Sequence, residues 1–448
     1  MATPGNTPGG TPRSYALYVL LLLTTINTLS YADRHLFSIL IPAIKKDFGA
    51  SDTAMGLIAG PGFIVSYVLL SMPLARLADR WSRRGVLALS ATLWSAATAA
   101  CGAAVNLTQL CVARFAVGIG EAGGLPPGQA MVSQLYDDRH RSGALGVLAS
   151  GTYFGLVLGL TGGAAIAAQW GWRMAFVALA LPGIPLAALL WLTGPRRAGT
   201  RAGATGTGDG GETMPATIRR FWRIRSLRLL AIGVGVFNIF GYAGAIWMPA
   251  YFMRSHGMTV VEAGAWLGLG AAIGGIAGSM ASGWIADRLS PRDPRWQLRV
   301  PAIGFLVAFP LLVVTFTLPG GAGLALGGPR IPVVALLAVI GAFLSALWAG
   351  PSFAAAARLV APEQRAQATA LLVVVINVIG SALGPLVAGM VSDLLTPRFA
   401  AEALRVSLLA MSLLALAGGA LFWRASIHYP RDLQQVTPAK GKDTWPTG

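Results

Sequence analysis

Charge is what this sequence has least of. Asp, Glu, Lys and Arg make up 11% of its 448 residues, less than half the roughly 25% usual in soluble domains. Hydrophobic residues make up 55%, and the mean hydropathy is +0.64. That composition excludes an ordinary soluble domain and reads as a chain that crosses a membrane many times. Cysteine is almost missing too. Cys101 and Cys111 are the only two, which excludes a disulfide scaffold and any zinc-type spacing; two free apolar thiols are expected over a bridge. There is no phosphate loop with a Lys-Ser/Thr ending and no nucleophile or metal constellation. The chain is therefore expected to be no enzyme, to bind no metal and to need no cofactor. The apolar runs lack period-2 alternation, which excludes a membrane barrel and leaves helices.

What is present is a succession of apolar runs near the ~20 residues that a span requires. Dividing the chain at its polar punctuation predicts twelve spans, at 15–44, 54–78, 85–105, 107–135, 142–168, 171–193, 227–253, 259–286, 299–319, 330–358, 365–394 and 403–424. The first run is too long for a signal-peptide core and is expected to be retained.

A net charge of +17 could suggest nucleic acid, but the positions of the charges argue against it. With the N-terminus in the cytoplasm, 25 of the 34 Lys and Arg fall on the cytoplasmic side. Seven fall outside, and two, Arg34 and Arg114, fall within spans. This positive-inside pattern predicts a multi-pass protein of the cell (inner) membrane with both ends cytoplasmic. Arg219, Arg220, Arg223, Arg225 and Arg228, just before the seventh span, are placed to touch anionic lipid heads.

The division into domains follows composition. Residues 1–14 are rich in Gly, Pro and Thr and are expected to be disordered. Two six-span bundles, 15–193 and 227–425, flank a linker at 194–226, and 426–448 form a cytoplasmic tail. The linker centres on the glycine run Gly203–Gly211, which follows no strand and is read as a flexible connection. A repeat supports the division. Leu77-Ala-Asp79-Arg80-Trp-Ser-Arg83-Arg84 ends the second span, and Ile285-Ala-Asp287-Arg288-Leu-Ser-Pro-Arg292 ends the eighth, 208 residues later. Arg141, Gly155 and Gly159 correspond to Arg365, Gly380 and Gly384 at an offset of 224 to 225. Duplicated halves are typical of secondary transporters.

The Asp-Arg-x-x-Arg-Arg loop after the second span resembles the signature loop of the major facilitator superfamily. It departs from it at Ala75 and Ser82, where glycine is usual, whereas the second copy keeps Gly283. Gly155-Leu-Val-Leu-Gly159-Leu-Thr-Gly-Gly163 resembles the fifth-span glycine motif, with Leu160 where antiporters often carry proline. Tyr31-Ala-Asp-Arg34, Gly118-Ile-Gly-Glu-Ala122 with Pro126-Pro127, Gly171-Trp-Arg173, and Trp247-Met-Pro249 with Arg254 resemble the spinster-like branch, whose animal members export lysolipids and sphingosine phosphate. The resemblance implies an all-α membrane protein with twelve transmembrane helices in two pseudo-symmetric six-helix bundles. It also implies that the loop of Asp79, Arg80, Arg83 and Arg84 braces the cytoplasmic gate, with Asp79 near the start of the eleventh span, and that Asp287, Arg288 and Arg292 are its pseudo-symmetric partner.

Within the first span Thr24, Asn27, Tyr31, Arg34 and Ser38 recur at spacings of 3 and 4, one helical face. In the fourth, Arg114, Gly118, Glu121 and Leu125 do the same. Counting 1.5 Å per residue from the span ends puts Asp33, Arg34 and Glu121 at overlapping depths. Charges at such depth face a cavity or a partner. Asp33 or Glu121 is expected to carry a proton, since a desolvated acid holds one more readily. Arg34 or Arg114 is expected to be the counter-charge or the anchor of an anionic substrate; a static inter-helix ion-pair network is the alternative. Asn27, Tyr31, Tyr67, Tyr153, Asn238, Tyr242, Trp348 and Asn377 are expected to line the cavity, with Trp247, Phe343 and Phe353 as further candidates. No charge lies deep in the second half.

Together these features predict a secondary active, proton-coupled, alternating-access transporter, expected to act as a monomer among membrane lipids. By resemblance its substrate is an amphipathic anion such as a lysophospholipid. A symporter of a small organic anion (sugar acid or carboxylate) and a multidrug exporter are the alternatives.

Overall fold

A computed structural model of the protein describes residues 12–137, 139–195, 219, 221–324 and 331–436. The N-terminus to residue 11, the linker at 196–218 with 220, and the tail from 437 lie outside the described residues, as do 138 and 325–330.

Twelve spans are built from the described helices. The first is one helix, Arg13–Phe48, closed by Gly49 at φ 60, where the missing Cβ makes the left-handed turn inexpensive. The second is Asp52–Ala59, capped by the Ser51 hydroxyl, and continues as Pro61–Arg80. Arg83–Ala103 forms the third, and Leu107–Ala122 with Leu125–Leu135 the fourth. The fifth runs from Arg141 through a π-helical turn at Leu158–Gly162. Gly171, at φ 82, breaks the chain into the sixth, which ends at Thr193.

The second bundle repeats the plan. Arg225–His256 is the seventh span, and Val260–Leu289, started by a Thr259–Glu262 capping box, is the eighth. Trp296–Thr317 is the ninth, and Val333–Ala346 with Ala349–Arg358 the tenth. The eleventh carries a π-helical turn at Ile376–Ser381 between Arg365–Val375 and Ala382–Phe399, and the twelfth is Ala403–Met411 with Leu413–Val436. Between the ninth and tenth, Gly323–Leu324 pairs antiparallel with Ile331–Pro332. The tenth span was expected from 330. It starts at Val333, because Pro332 fixes an extended entry.

The halves match at the level of backbone packing. Gly155 and Gly159 let the fifth span lie against Thr28 and Ala32 of the first, and Gly380 and Gly384 let the eleventh lie against Asn238 and Ile239 of the seventh. A Cβ at Gly155 would sit 2.5 Å from the Thr28 carbonyl oxygen, and one at Gly380 2.6 Å from Asn238 Cβ. Small residues at such crossings bring helix backbones into contact. The bundles then meet across spans 1, 2 and 5 on one side and 7, 8 and 11 on the other, where Gly56 abuts the Pro385 carbonyl and Gly264 abuts Leu160. Alternating helices put Arg80, Arg84, Arg141, Arg228 and Arg288 on one face, the basic face, and Lys45, Asp52 and Arg254 on the far face. Cys101 and Cys111 are both free.

Candidate functional site: an ionic cavity between the bundles

Two adjacent residues of the first span reach two residues of the fourth. Arg34 Nε donates to Glu121 Oε2 at 2.5 Å, and Arg114 Nη1 donates to Asp33 Oδ2 at 3.1 Å. Neighbours on a helix point about 100° apart, and Arg114 and Glu121 lie two turns apart on one stripe, so each base meets the acid of the other helix. Asp33 Oδ1 also accepts from the Thr98 hydroxyl at 3.0 Å. Asp33, Arg114 and Glu121 are all at most 3% exposed, whereas the Arg34 side chain is 23% exposed. Both Asp33 oxygens are therefore satisfied. Glu121 Oε1 and Arg114 Nε are buried with no hydrogen-bond partner among the described residues.

Aromatic faces surround the two guanidinium groups. Arg34 lies 4.9 Å from the Tyr31 ring, 5.0 Å from Phe63 and 4.9 Å from Tyr67. Arg114 lies 4.8 Å from Phe37 and 5.3 Å from Phe63. These contacts give each buried cation electrostatic partners besides its carboxylate, each worth about 0.5–2 kcal/mol.

A cavity of about 350 Å³ opens between the bundles in front of this cluster. Its first-half wall holds Tyr31, Arg34, His35, Phe63, Tyr67 and Arg114. Its second-half wall comes from spans 7 and 11 and is polar only at Tyr242, Asn377 and Ser381. Asn377 Nδ2 already donates to Val373 of its own helix. Glu121 is behind Arg34, in a narrow crevice with Tyr31, Tyr67 and Trp94. The guanidinium is thus the partition between the acid and the cavity.

A second, apolar pocket of about 240 Å³ adjoins this cavity. Phe237, Phe240, Met248, Leu267, Leu312 and Leu337 line it, and Gly244 and Gly341 leave open space where a side chain would stand. His35 and Ala245 border both spaces.

The two ends of the bundle interface differ. At the far face Asp52, buried to 2%, accepts from Arg254 twice at 2.9 Å, from Lys45 at 2.6 Å and from Ser392 at 2.7 Å. Asp393 in turn caps the second span through the Asp52 and Thr53 amides at 3.0 and 2.7 Å. Charges from both bundles are tied there. Towards the basic face the bonded link is Tyr153 to Ser279 at 3.2 Å, and among the described residues no ion pair joins the bundles on that side. Asp79 bonds Arg83 one turn on, at 2.8 and 3.0 Å, and its side chain is 58% exposed; Arg84 donates to the Gly194 carbonyl at 3.2 Å. Among the described residues no hydrogen bond or ion pair joins this loop to the eleventh span. Arg288 lies 5.7 Å from the Trp284 ring beside it.

Of the residues the sequence placed on the cavity wall, Tyr31, Tyr67, Tyr242 and Asn377 are on it. Four are elsewhere. Asn27 donates to the Leu148 carbonyl at 3.1 Å, because Gly151 brings the fifth span onto it. Asn238 is sealed under Gly380 and donates to Val234 of its own helix. Tyr153 is used in the link to Ser279, and Trp348 packs against Phe237 and Phe353. Trp247 is fully buried and donates to the Pro385 carbonyl at 2.9 Å. Helical periodicity names a face, not the neighbour that the face meets. Sequence reasoning missed Thr98, Phe63, His35 and the Asp52 hub. The last gave no sign in the sequence, since Asp52 after Ser51 reads as an ordinary acid at a helix start.

The comparisons agree with this architecture. The profile of the Major Facilitator Superfamily matches residues 23–328. An MFS-type efflux pump of Mycolicibacterium smegmatis is 35% identical over 429 residues, 95% of each chain. Human protein spinster homolog 1 is 26% identical and covers 93% of this chain and 82% of its own. The crystal structure of a bacterial homolog of the human lysosomal transporter spinster, inward-facing and unoccupied, superposes with a TM-score of 0.81 at 26% identity, covering 94% of this chain and 98% of that one. With twelve spans in two matching bundles around a central cavity, this chain belongs to the Major Facilitator Superfamily and is a membrane transporter of spinster-like fold.

Proposed function

We propose that the protein is a proton-coupled secondary transporter that moves an amphipathic anion, a lysophospholipid or related lipid, by alternating access. One observation carries the reading: an ionic cavity and an apolar pocket meet in the middle of the molecule. A sugar acid would leave the apolar pocket empty and find few partners on the second-half wall, whereas an amphiphile uses both.

Glu121 is the proton carrier in this reading, because one of its oxygens has no partner. Protonating it removes the charge that holds Arg34, and the guanidinium turns to the anionic head. Asp33, with both oxygens occupied, positions Arg114 beside the same head. Loss of either acid's partner would otherwise strand a buried charge, at a cost of about 3–5 kcal/mol. The Asp79–Arg84 loop, with Asp287 and Arg288 as its pseudo-symmetric copy, closes the basic face in the opposite conformation, Asp79 leaving Arg83 for the start of the eleventh span. The uneven distribution of Lys and Arg supports a cytoplasmic basic face and cytoplasmic ends in the cell membrane.

The efflux-pump relative at 35% identity favours a second reading, export of amphiphilic drugs through the same cavity. Proteoliposomes with an imposed pH gradient and protein-free vesicles as leak control separate the readings. A labelled lysophospholipid is expected to move with the gradient and a labelled sugar acid to stay. Movement of the sugar acid alone overturns the lipid reading. Movement of a lipophilic cation in place of the lipid favours drug export.

A further inference from the structure

His35 has no role in the ion-pair cluster, yet it borders both spaces that an amphiphile would occupy. It follows Arg34 on the first span, so when Arg34 faces the ionic cavity His35 points about 100° away, towards the junction with the apolar pocket. The ring has no hydrogen-bond partner among the described residues; only the backbone carbonyl is engaged, by Ser38. The other polar side chains of the apolar pocket are spent within their own helices, Thr315 on Leu311 and Ser345 on Ala342. Tyr242, Asn377 and Ser381 are on the ionic side only. His35 is therefore the group at the junction with free hydrogen-bonding capacity. A neutral imidazole offers one donor and one acceptor, while the surroundings of Leu156, Leu160, Phe240 and Met248 offer none.

We infer that His35 is a specificity-determining residue that reads the neck of the substrate, the hydroxyl or ester group between an anionic head and a hydrocarbon tail. This rests on the amphipathic-anion reading above. With the head on Arg34 and Arg114 and the tail among Phe237, Phe240 and Leu312, the neck must pass the imidazole. A neck without hydrogen-bonding atoms would desolvate the ring and give nothing in return. The site thereby prefers lipids with a polar glycerol- or sphingoid-type neck over plain alkyl anions with the same head and length.

The test is direct binding of two labelled probes to the purified full chain, a 1-acyl lysophosphatidate and an n-alkyl phosphate of equal length. One net hydrogen bond predicts a preference of about threefold to tenfold for the lysophosphatidate. His35→Leu, similar in bulk but without hydrogen bonds, should bring the ratio of the two affinities to within about twofold of unity. His35→Gln, which keeps a donor and an acceptor, should retain most of it. Purely structural damage would weaken both probes together and leave the ratio in place. Binding of both probes with a ratio that His35→Leu does not change overturns the neck assignment alone. Failure of the unsubstituted protein to bind either probe overturns the amphipathic-anion reading, and this inference with it.

Discussion

The two bundles share a backbone plan and differ in chemistry. Gly155 and Gly159 in the fifth span do what Gly380 and Gly384 do in the eleventh, and each span has a π-helical turn beside them. Yet Asp33, Arg34, Arg114 and Glu121 all belong to the first bundle, and the facing wall has Tyr242, Asn377 and Ser381. The repeat supplies two bundles with matching helix packing. On the cavity wall only the first bundle carries charged side chains. In the proposed mechanism the difference separates the requirements of movement, which both halves meet alike, from those of coupling, which one half meets alone.

Substitutions at matched positions can break that contrast. The largest effect is expected at Asp33→Ala, which leaves the guanidinium of Arg114 unpaired at 2% exposure. Removing one partner of a buried pair costs about 3–5 kcal/mol, read as a lowered unfolding temperature in detergent. Asn377→Ala on the opposite wall should change that temperature little. Next is the far-face hub. Asp52→Ala releases Arg254 and Lys45 together and should shift the population towards opening at that face by about tenfold or more, since 1.4 kcal/mol is a factor of ten. The check is labelling of Ala245→Cys, in a Cys101→Ser, Cys111→Ser background, with an impermeant maleimide from the far side. No gain in labelling would show that Asp52 does not hold the bundles closed.

A third pair sharpens the symmetry. Gly159→Leu and Gly384→Leu each drive a side chain into a helix backbone, and overpacking costs about 1–3 kcal/mol. Similar losses are expected in both halves, and a large loss at Gly159 alone would show that the repeat is not mechanically equivalent. The smallest effect is expected at Tyr242→Phe, about threefold or less in lipid affinity, because one hydroxyl is worth about one hydrogen bond at most.

How much of this was legible in the sequence depended on the kind of residue. Asp33, Arg34, Arg114 and Glu121 stand out because ionisable groups in apolar runs are expensive and so informative, whereas which base meets which acid emerges only from the packed helices. The twelve spans and the repeat were legible for the same reason, from length and recurrence. The Asp52 hub was not. Beside Ser51 it reads as an ordinary acid at a helix start, and its partners Arg254 and Ser392 are 202 and 340 residues away. Asn238, Tyr153 and Trp348 were placed on the cavity because of their residue type. Which way they face was decided by a glycine or a ring on another helix, at Gly380, Gly275 and Phe237. His35 lies off the polar stripe, and its position between two spaces exists only once the bundles have assembled.

The central claim is that Glu121 couples a proton to solute movement through Arg34. Proteoliposomes with unsubstituted protein and with Glu121→Gln test it when two modes are followed with the same labelled lysophospholipid: uptake driven by a pH gradient, and exchange against unlabelled lipid with no gradient. The account predicts that the variant keeps exchange and loses gradient-driven uptake to the level of protein-free vesicles. Gradient-driven uptake that survives in Glu121→Gln would contradict it.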